Sequence, residues 1–186
     1  MDIVKLACQR YSLDQIAIAF NGGKESTAIL SLVMTHIIND KFPLVFCIKE
    51  TYPFVGLEEY RNNMSSKFEF DMVYVDNLDQ LKSKYPDILA IIMGTRRTDP
   101  HGANLKPFQK TDPKWPEYVR INPLLEWSYH DVWTYILDMN MPFCALYTEG
   151  YTSIGETNNT VPNPTLCAGE PAWKLKNGKD ERLGRS

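Results

Sequence analysis

The chain of 186 residues has no surplus of positive charge: 20 lysines and arginines stand against 23 aspartates and glutamates, for a net charge of −3. A nucleic-acid binder wants a basic face, so that partner class is disfavoured, although a local basic pocket is not. No cysteine pair has zinc or redox spacing. Cys8, Cys47, Cys144 and Cys167 lie far apart, so zinc ribbons and thioredoxin-like chemistry lack support, and a reduced compartment, the cytoplasm, is the simple reading. The three histidines, His36, His101 and His130, lack metal-ligand spacing, which argues against a metal cage built from protein alone. No uncharged run approaches the length of a membrane span. The start, Met1 to Lys5, shows no basic segment leading into an apolar run, so no secretory signal is expected. There is no internal repeat and no low-complexity tract. What remains is an apolar fraction of 44%, enough for one globular domain over residues 1–186 with a sizeable core.

The first half alternates short apolar runs with helical periodicity. Asp2 to Tyr11 reads as a helix and Gln15 to Phe20 as a buried strand. Thr27 to Asn39 carries Ala28, Ile29, Leu32, Val33 and Ile37 at helical spacing, and Asp40 to Pro43 ends that helix. Leu44–Ile48 is a second strand, Leu57 to Phe68 a helix and Met72–Asp76 a third strand. Asn77 caps a short helix from Leu78 to Tyr85, and Ile88–Met93 is a fourth strand. Four such strands alternating with helices imply an α/β doubly wound, mostly parallel sheet with helices on both faces. Ligands of such sheets bind beyond the C-terminal strand ends. Three segments therefore point at one crevice: Asn21–Ser26, Lys49–Thr51 and Gly94 onward.

After Gly94 prolines recur and periodicity fades, a sign of a functional segment because the aromatics Phe108, Trp115 and Tyr118 oppose disorder. Glu117–Ile121 is a candidate fifth strand. Ser128 and Asp131 form a capping box for a helix running to about Met139. Tyr147 to Pro164 is turn-rich, and the polar end of the chain, residues 165–186, is expected to be loosely ordered.

The chemistry centres on Phe20-Asn21-Gly22-Gly23-Lys24-Glu25-Ser26. A strand, two glycines, a lysine and a helix start make an anion cradle: the glycines let the backbone approach, the helix end offers N–H groups, and Lys24 adds a charge. It is not a Walker A loop, which needs glycine where Ile18 stands and Ser or Thr where Glu25 stands. Gly94-Thr-Arg-Arg-Thr-Asp-Pro100 follows the fourth strand. Arg96, Arg97 and Asp99 at a strand end could hold a phosphate and a polar heterocycle, since the arginine fork matches phosphate geometry. Trp115 could stack on a flat ring or simply pack. His36 and His130 read as structural, and His101 stays ambiguous.

These residues resemble a known family. Asn21 to Ser26 is similar to the pyrophosphate loop of the PP-loop nucleotidyl transferases. Within them, Phe20–Lys24 and Gly94–Pro100, followed by Trp115–Trp127, Tyr151–Gly155 and Asn158–Pro164, resemble eukaryotic FAD synthase, the FMN adenylyltransferase. The resemblance spans roughly Ile16 to Pro164. It implies an adenine nucleotide α-hydrolase-like, Rossmann-like fold and a reaction in which the FMN phosphate attacks the α-phosphate of ATP, giving FAD and pyrophosphate with Mg²⁺ required. It implies a monomer acting on small molecules, with no nucleic-acid or membrane partner. By position, Phe20 to Ser26 (Gly22 and Gly23 included), Lys49, Glu50 and Gly94 would border ATP. Arg96, Arg97, Asp99, Asp112, Trp115 and Arg120 would face FMN, with Trp115 on the isoalloxazine. Asn21, Lys24, Glu25, Arg97 and Asp99 would carry the catalysis. An arginine near the family's C-terminus, also expected on the FMN side, has two candidates, Arg182 and Arg185.

One departure concerns the loop, where the family has aspartate and this chain Glu25. The extra methylene bears on whether Glu25 ligates Mg²⁺, which is otherwise held by phosphates. Two rival readings remain: a flavin- or nucleotide-binding module without turnover, and a phosphoadenosine-phosphosulfate reductase. The reductase needs a nucleophilic cysteine near the C-terminus. Cys167-Ala-Gly-Glu170 resembles its motif superficially, but no histidine follows.

Overall fold

The computed structural model describes residues 2–36 and 42–186. Helix α1, Ile3–Arg10, starts at Asp2, whose carboxylate accepts from the Lys5 N–H at 3.0 Å. It leads to β1, Ile16–Ala19, then α2, Lys24–Met34. Helix α2 ends at Met34, with Thr35 and His36 already in a turn, earlier than the expected end at Asn39; the expected positions from Ile37 to the stop at Asp40 lie outside the described residues. Strand β2, Leu44–Ile48, α3, Val55–Phe68, β3, Met72–Val75, α4, Leu78–Lys84, and β4, Ala90–Ile92, complete the first half. The second half adds β5, Phe108–Lys110, β6, Val119–Ile121, and α5, Tyr129–Asp138.

The six strands form one sheet in the order β3-β2-β1-β4-β6-β5. All neighbours pair in parallel except β5, which runs antiparallel to β6 at the edge. The sheet is the expected mostly parallel one, with β6 as the fifth parallel strand. Strand β5 was not foreseen. Three residues behind Pro107 are too short for any hydrophobic period to register.

Alternation along the central strands divides the core. Ile16 and Ile18 of β1 with Ala90 and Ile92 of β4 pack with α1, α2, α3 and α5. Ala17, Phe46 and Ile91 point the other way, toward Leu81 of α4 and Tyr118. This is the period of two that side chains follow in a strand. Each buried aliphatic side chain here stabilises by about 1.5–3 kcal/mol. Both foreseen helix starts form: the Asn77 side chain accepts from the Gln80 N–H, and Ser128 and Asp131 exchange side chain-to-backbone bonds at α5.

The tail corrects an expectation. Residues 165–186 are not loose. Trp173 packs between Trp133 and Phe143, Thr160 pairs with Arg185, and Glu181 is buried. A polar composition concealed this because the residues that tie the tail down are themselves charged.

Candidate active site

A cavity of about 760 Å³ opens at the C-terminal ends of β1, β2 and β4, the edge that topology designates in such sheets. Its floor is Ala19–Asn21 and Gly23–Ser26. One wall is Phe46–Glu50, another Met93–Arg96 with Asp99 and Pro100, and the roof is Ser153–Glu156 with Arg182 and Arg185.

The loop is locally built. Asn21 Oδ1 accepts from the Gly23 N–H at 2.9 Å and from Ser26 Oγ at 3.0 Å, folding the turn onto the helix start. Gly22 has φ +84°, and a Cβ there would come within 2.9 Å of Leu57 Cδ1, so no side chain fits. The Lys24 N–H donates to the Tyr147 hydroxyl at 2.8 Å. Two of the N–H groups expected to cradle an anion are therefore already engaged inside the protein.

Lys24 does not reach into the cavity with its charge. Its side chain is 2% exposed, and Nζ donates to Glu181 Oε1 at 2.5 Å and to the Thr152 carbonyl at 3.0 Å. Nζ also lies 3.0 Å from Glu25 Oε1. Arg96, 1% exposed, sits 3.1 Å from Glu25 Oε1, 2.9 Å from Asp99 Oδ1 and 2.6 Å from Glu181 Oε2. Two cations and three carboxylates thus share one buried cluster with one negative charge in excess. Burial alone would raise the Glu25 carboxyl, but Lys24 and Arg96 outweigh it and hold the group below the ordinary glutamate range. Burial works against the Arg96 cation, yet Glu25, Glu181 and Asp99 raise its pKa. Arg96 Nε and Nη1 are buried without a hydrogen-bond partner among the described residues.

The other expected residues divide. Gly94 and Asp99 line the cavity, and the Asp99 carboxylate also accepts from the Arg96 N–H at 2.8 Å, closing its own turn. Lys49 and Glu50 line it too, but Lys49 pairs with Asp76 at 2.8 Å, and Glu50 with Arg61 at 2.7 Å. Arg182 and Arg185 both border the cavity and make no ion pair among the described residues. The choice between them dissolves. Burial and the neighbouring Arg182 charge lower the Arg185 pKa against the opposing pull of Glu156.

Arg97 is a correction. It points away from the cavity, donating to both Glu126 oxygens and to the carbonyls of Ala103 and Leu105. Consecutive residues outside a helix project to different sides, so the Arg-Arg pair splits. Asp112 and Trp115 are also off the cavity. They lie in the turn between β5 and β6, and because β5 is antiparallel that turn sits at the N-terminal end of β6, opposite the edge where the cavity opens. Trp115 is 53% exposed. Arg120, within β6, touches the cavity only through Thr95, 3.5 Å from its Nη2.

Five residues at the site were not singled out by sequence: Tyr147, Thr152, Glu156, Arg61 and Glu181. Glu156 Oε1 accepts from the Thr51 N–H at 2.6 Å and ties the roof to the wall beyond β2. Glu181 adjoins a candidate arginine, and a charged Glu-Arg pair in a tail thought to fray was the one available signal.

Comparison with known proteins identifies relatives of the whole chain. Residues 15–87 and 75–162 match the phosphoadenosine phosphosulfate reductase domain. The chain is 32% identical to a probable FAD synthase of Schizosaccharomyces pombe, covering 98% of this chain and 76% of that protein. It is 34% identical to a probable FAD synthase of Caenorhabditis elegans, of which it spans only 39%. The structure superposes on Candida glabrata FMN adenylyltransferase, solved in complex with FAD and inorganic pyrophosphate, with a TM-score of 0.89 at 25% identity over 99% of this chain and 87% of that one. The loop at Asn21, the cavity above it and the similarity along almost the whole chain together place this protein in the FAD synthase family, on the phosphoadenosine phosphosulfate reductase-type fold.

Proposed function

We propose that this chain transfers AMP from ATP to FMN, giving FAD and pyrophosphate. The observation that carries the reading is one cavity with a phosphate-type loop on its floor and, on its roof, Arg182 and Arg185, which form no ion pair among the described residues. The FMN phosphate oxygen attacks the α-phosphorus of ATP in line as the bond to the pyrophosphate oxygen breaks. Two anions must meet, so catalysis is positioning and charge neutralisation. The loop Asn21–Ser26 bears the ATP phosphates, with Asn21 holding its shape. Arg182 and Arg185 supply the counter-charge. Gly94, Lys49 and Glu50 border the adenosine. Arg96 and Asp99 face FMN. Lys24, Arg97, Asp112, Trp115 and Arg120 take no direct part in this reading.

The acidic residues at the cavity suit a hard cation only as a supplement to phosphate oxygens. Glu25, Glu181 and Asp99 are all engaged with Lys24 or Arg96, and among the described residues no His, Cys, Asp and Glu group forms a metal cage. Glu25, on the cavity floor, is the carboxylate that would help hold Mg²⁺. Bound to the phosphates, Mg²⁺ would neutralise charge. The reading includes a monomer in the cytoplasm without nucleic-acid or membrane partners. No helix of the described residues is long and apolar enough to cross a membrane.

The test is incubation with FMN, ATP and Mg²⁺, with FAD and pyrophosphate resolved by chromatography. Binding of both substrates without FAD formation would leave a non-catalytic flavin and nucleotide module. The reductase reading is disfavoured because Cys167 is exposed and does not border the cavity. Cys167→Ser should keep full turnover.

A further inference from the structure

Glu181 is buried, lies far along the chain from every other member of its cluster, and has no role in the reaction as described above. Its two carboxylate oxygens serve two different loops. Oε1 accepts from Lys24 Nζ at the start of α2, and Oε2 accepts from Arg96 Nη2 in the segment after β4. Its backbone carbonyl accepts from Thr152 Oγ1 at 2.6 Å. Thr152 Oγ1 in turn accepts from Asn163 Nδ2 at 2.8 Å, and the same nitrogen donates to the Asp180 carbonyl at 2.7 Å. The residue that follows is Arg182. Three residues further on, Arg185 lies over Gly155, where a Cβ would stand 2.3 Å from its guanidinium carbon. Lys24 is committed on every side: to Glu181, to Glu25 and to the face of Tyr129, 5.1 Å from its ring centroid.

We infer that Glu181 is a positioning residue for adenylyl transfer: it holds Lys24 inside the protein as a structural cation and seats Arg182 and Arg185 as the cations that meet the phosphates. The inference rests on the adenylyl-transfer reading. The division of labour has a chemical reason. A lysine in the loop is a mobile point charge, whereas two arginines on a pinned segment present planar, multi-donor forks. Glu181 is the joint that fixes their register against the loop, because one carboxylate spans both.

Glu181→Gln keeps the shape and removes the charge. We expect kcat/KM for ATP to fall by on the order of 10- to 100-fold, the size of effect that small misplacement of a reacting group produces, with a smaller rise in KM for FMN through the Arg96 that Glu181 also holds. Thr152→Val, which loosens the same segment without altering charge, should cause a smaller loss of the same kind and keeps the inference testable if Glu181→Gln does not fold. In an Arg182→Ala/Arg185→Ala background, Glu181→Gln should add almost nothing, because residues that act as one unit are not additive. A penalty that adds in full there, or unchanged ATP kinetics in folded Glu181→Gln, overturns the inference. Should the unsubstituted protein form no FAD, the adenylyl-transfer reading fails by itself. Calorimetric titration with ATP and Mg²⁺ then decides this one: weaker ATP binding by Glu181→Gln supports it, and equal binding overturns it.

Discussion

The floor and the roof of the cavity are made in opposite ways. The floor, Asn21–Ser26, shapes itself: the Asn21 side chain bonds residues two and five positions ahead. The roof depends on partners at great separation, with Glu181 reaching 157 residues back to Lys24 and 85 back to Arg96. Local geometry is a property of the short stretch that carries it. Charge presentation at the roof is a property of the assembled fold. Hence a lysine in the loop is neutralised internally, while arginines near the chain end supply the cavity's uncompensated positive charge.

The comparison breaks most sharply at Arg185. Arg185→Ala should cost two to three orders of magnitude in FAD formation, roughly the loss seen when one preorganised donor is removed from a transition state. Near-normal turnover would mean that the floor alone suffices. Asn21→Ala tests the floor. It should lower turnover on the order of 100-fold with little change in urea midpoint, because the loop edge is exposed. A large loss of stability without a change in turnover per folded molecule would make Asn21 merely structural.

The walls follow. Asp99→Ala should weaken FMN binding more than Trp115→Ala does, since Asp99 lines the cavity and Trp115 lies beyond the far end of β6. The reverse order in FMN titrations would bring the β5–β6 turn into the site. A pH series sharpens the buried cluster. The folded pKa of Glu25 is lowered, so the unfolded chain takes up a proton more readily than the native one. Its stabilising contribution is therefore complete above the ordinary glutamate value, about 4.3. That contribution is lost as pH falls through the lowered folded value. Urea midpoints should drop over that range, and Glu25→Gln should flatten the dependence. The smallest effects belong to the periphery: Ser128→Ala should cost about 1 kcal/mol through the lost cap with no change in FAD formation, and Arg97→Ala should leave turnover unchanged.

Most of the first half was legible because each strand and helix carries its own period, as in Leu44–Ile48 and Leu78–Lys84, or its own cap, as at Asn77. Strand β5 was not, being three residues with no period of its own. Asn21, Glu25, Arg96 and Asp99 were expected at the crevice because they lie where parallel strands end, and all four line the cavity. Arg97 was misplaced because adjacency in sequence says nothing about which side a loop residue faces. Asp112 and Trp115 lie off the cavity because one antiparallel strand carries their turn to the opposite edge.

The sequence by itself determined the wound sheet, the edge at which the cavity opens and the shape of the loop at Asn21. These follow from side-chain periodicity and from bonds between near neighbours. Only the tertiary structure decided which charges remain available. Whether Lys24, Arg96, Arg182 or Arg185 keeps a free charge depends on the carboxylates folded against it, and Glu181, which takes up two of them, comes from the far end of the chain.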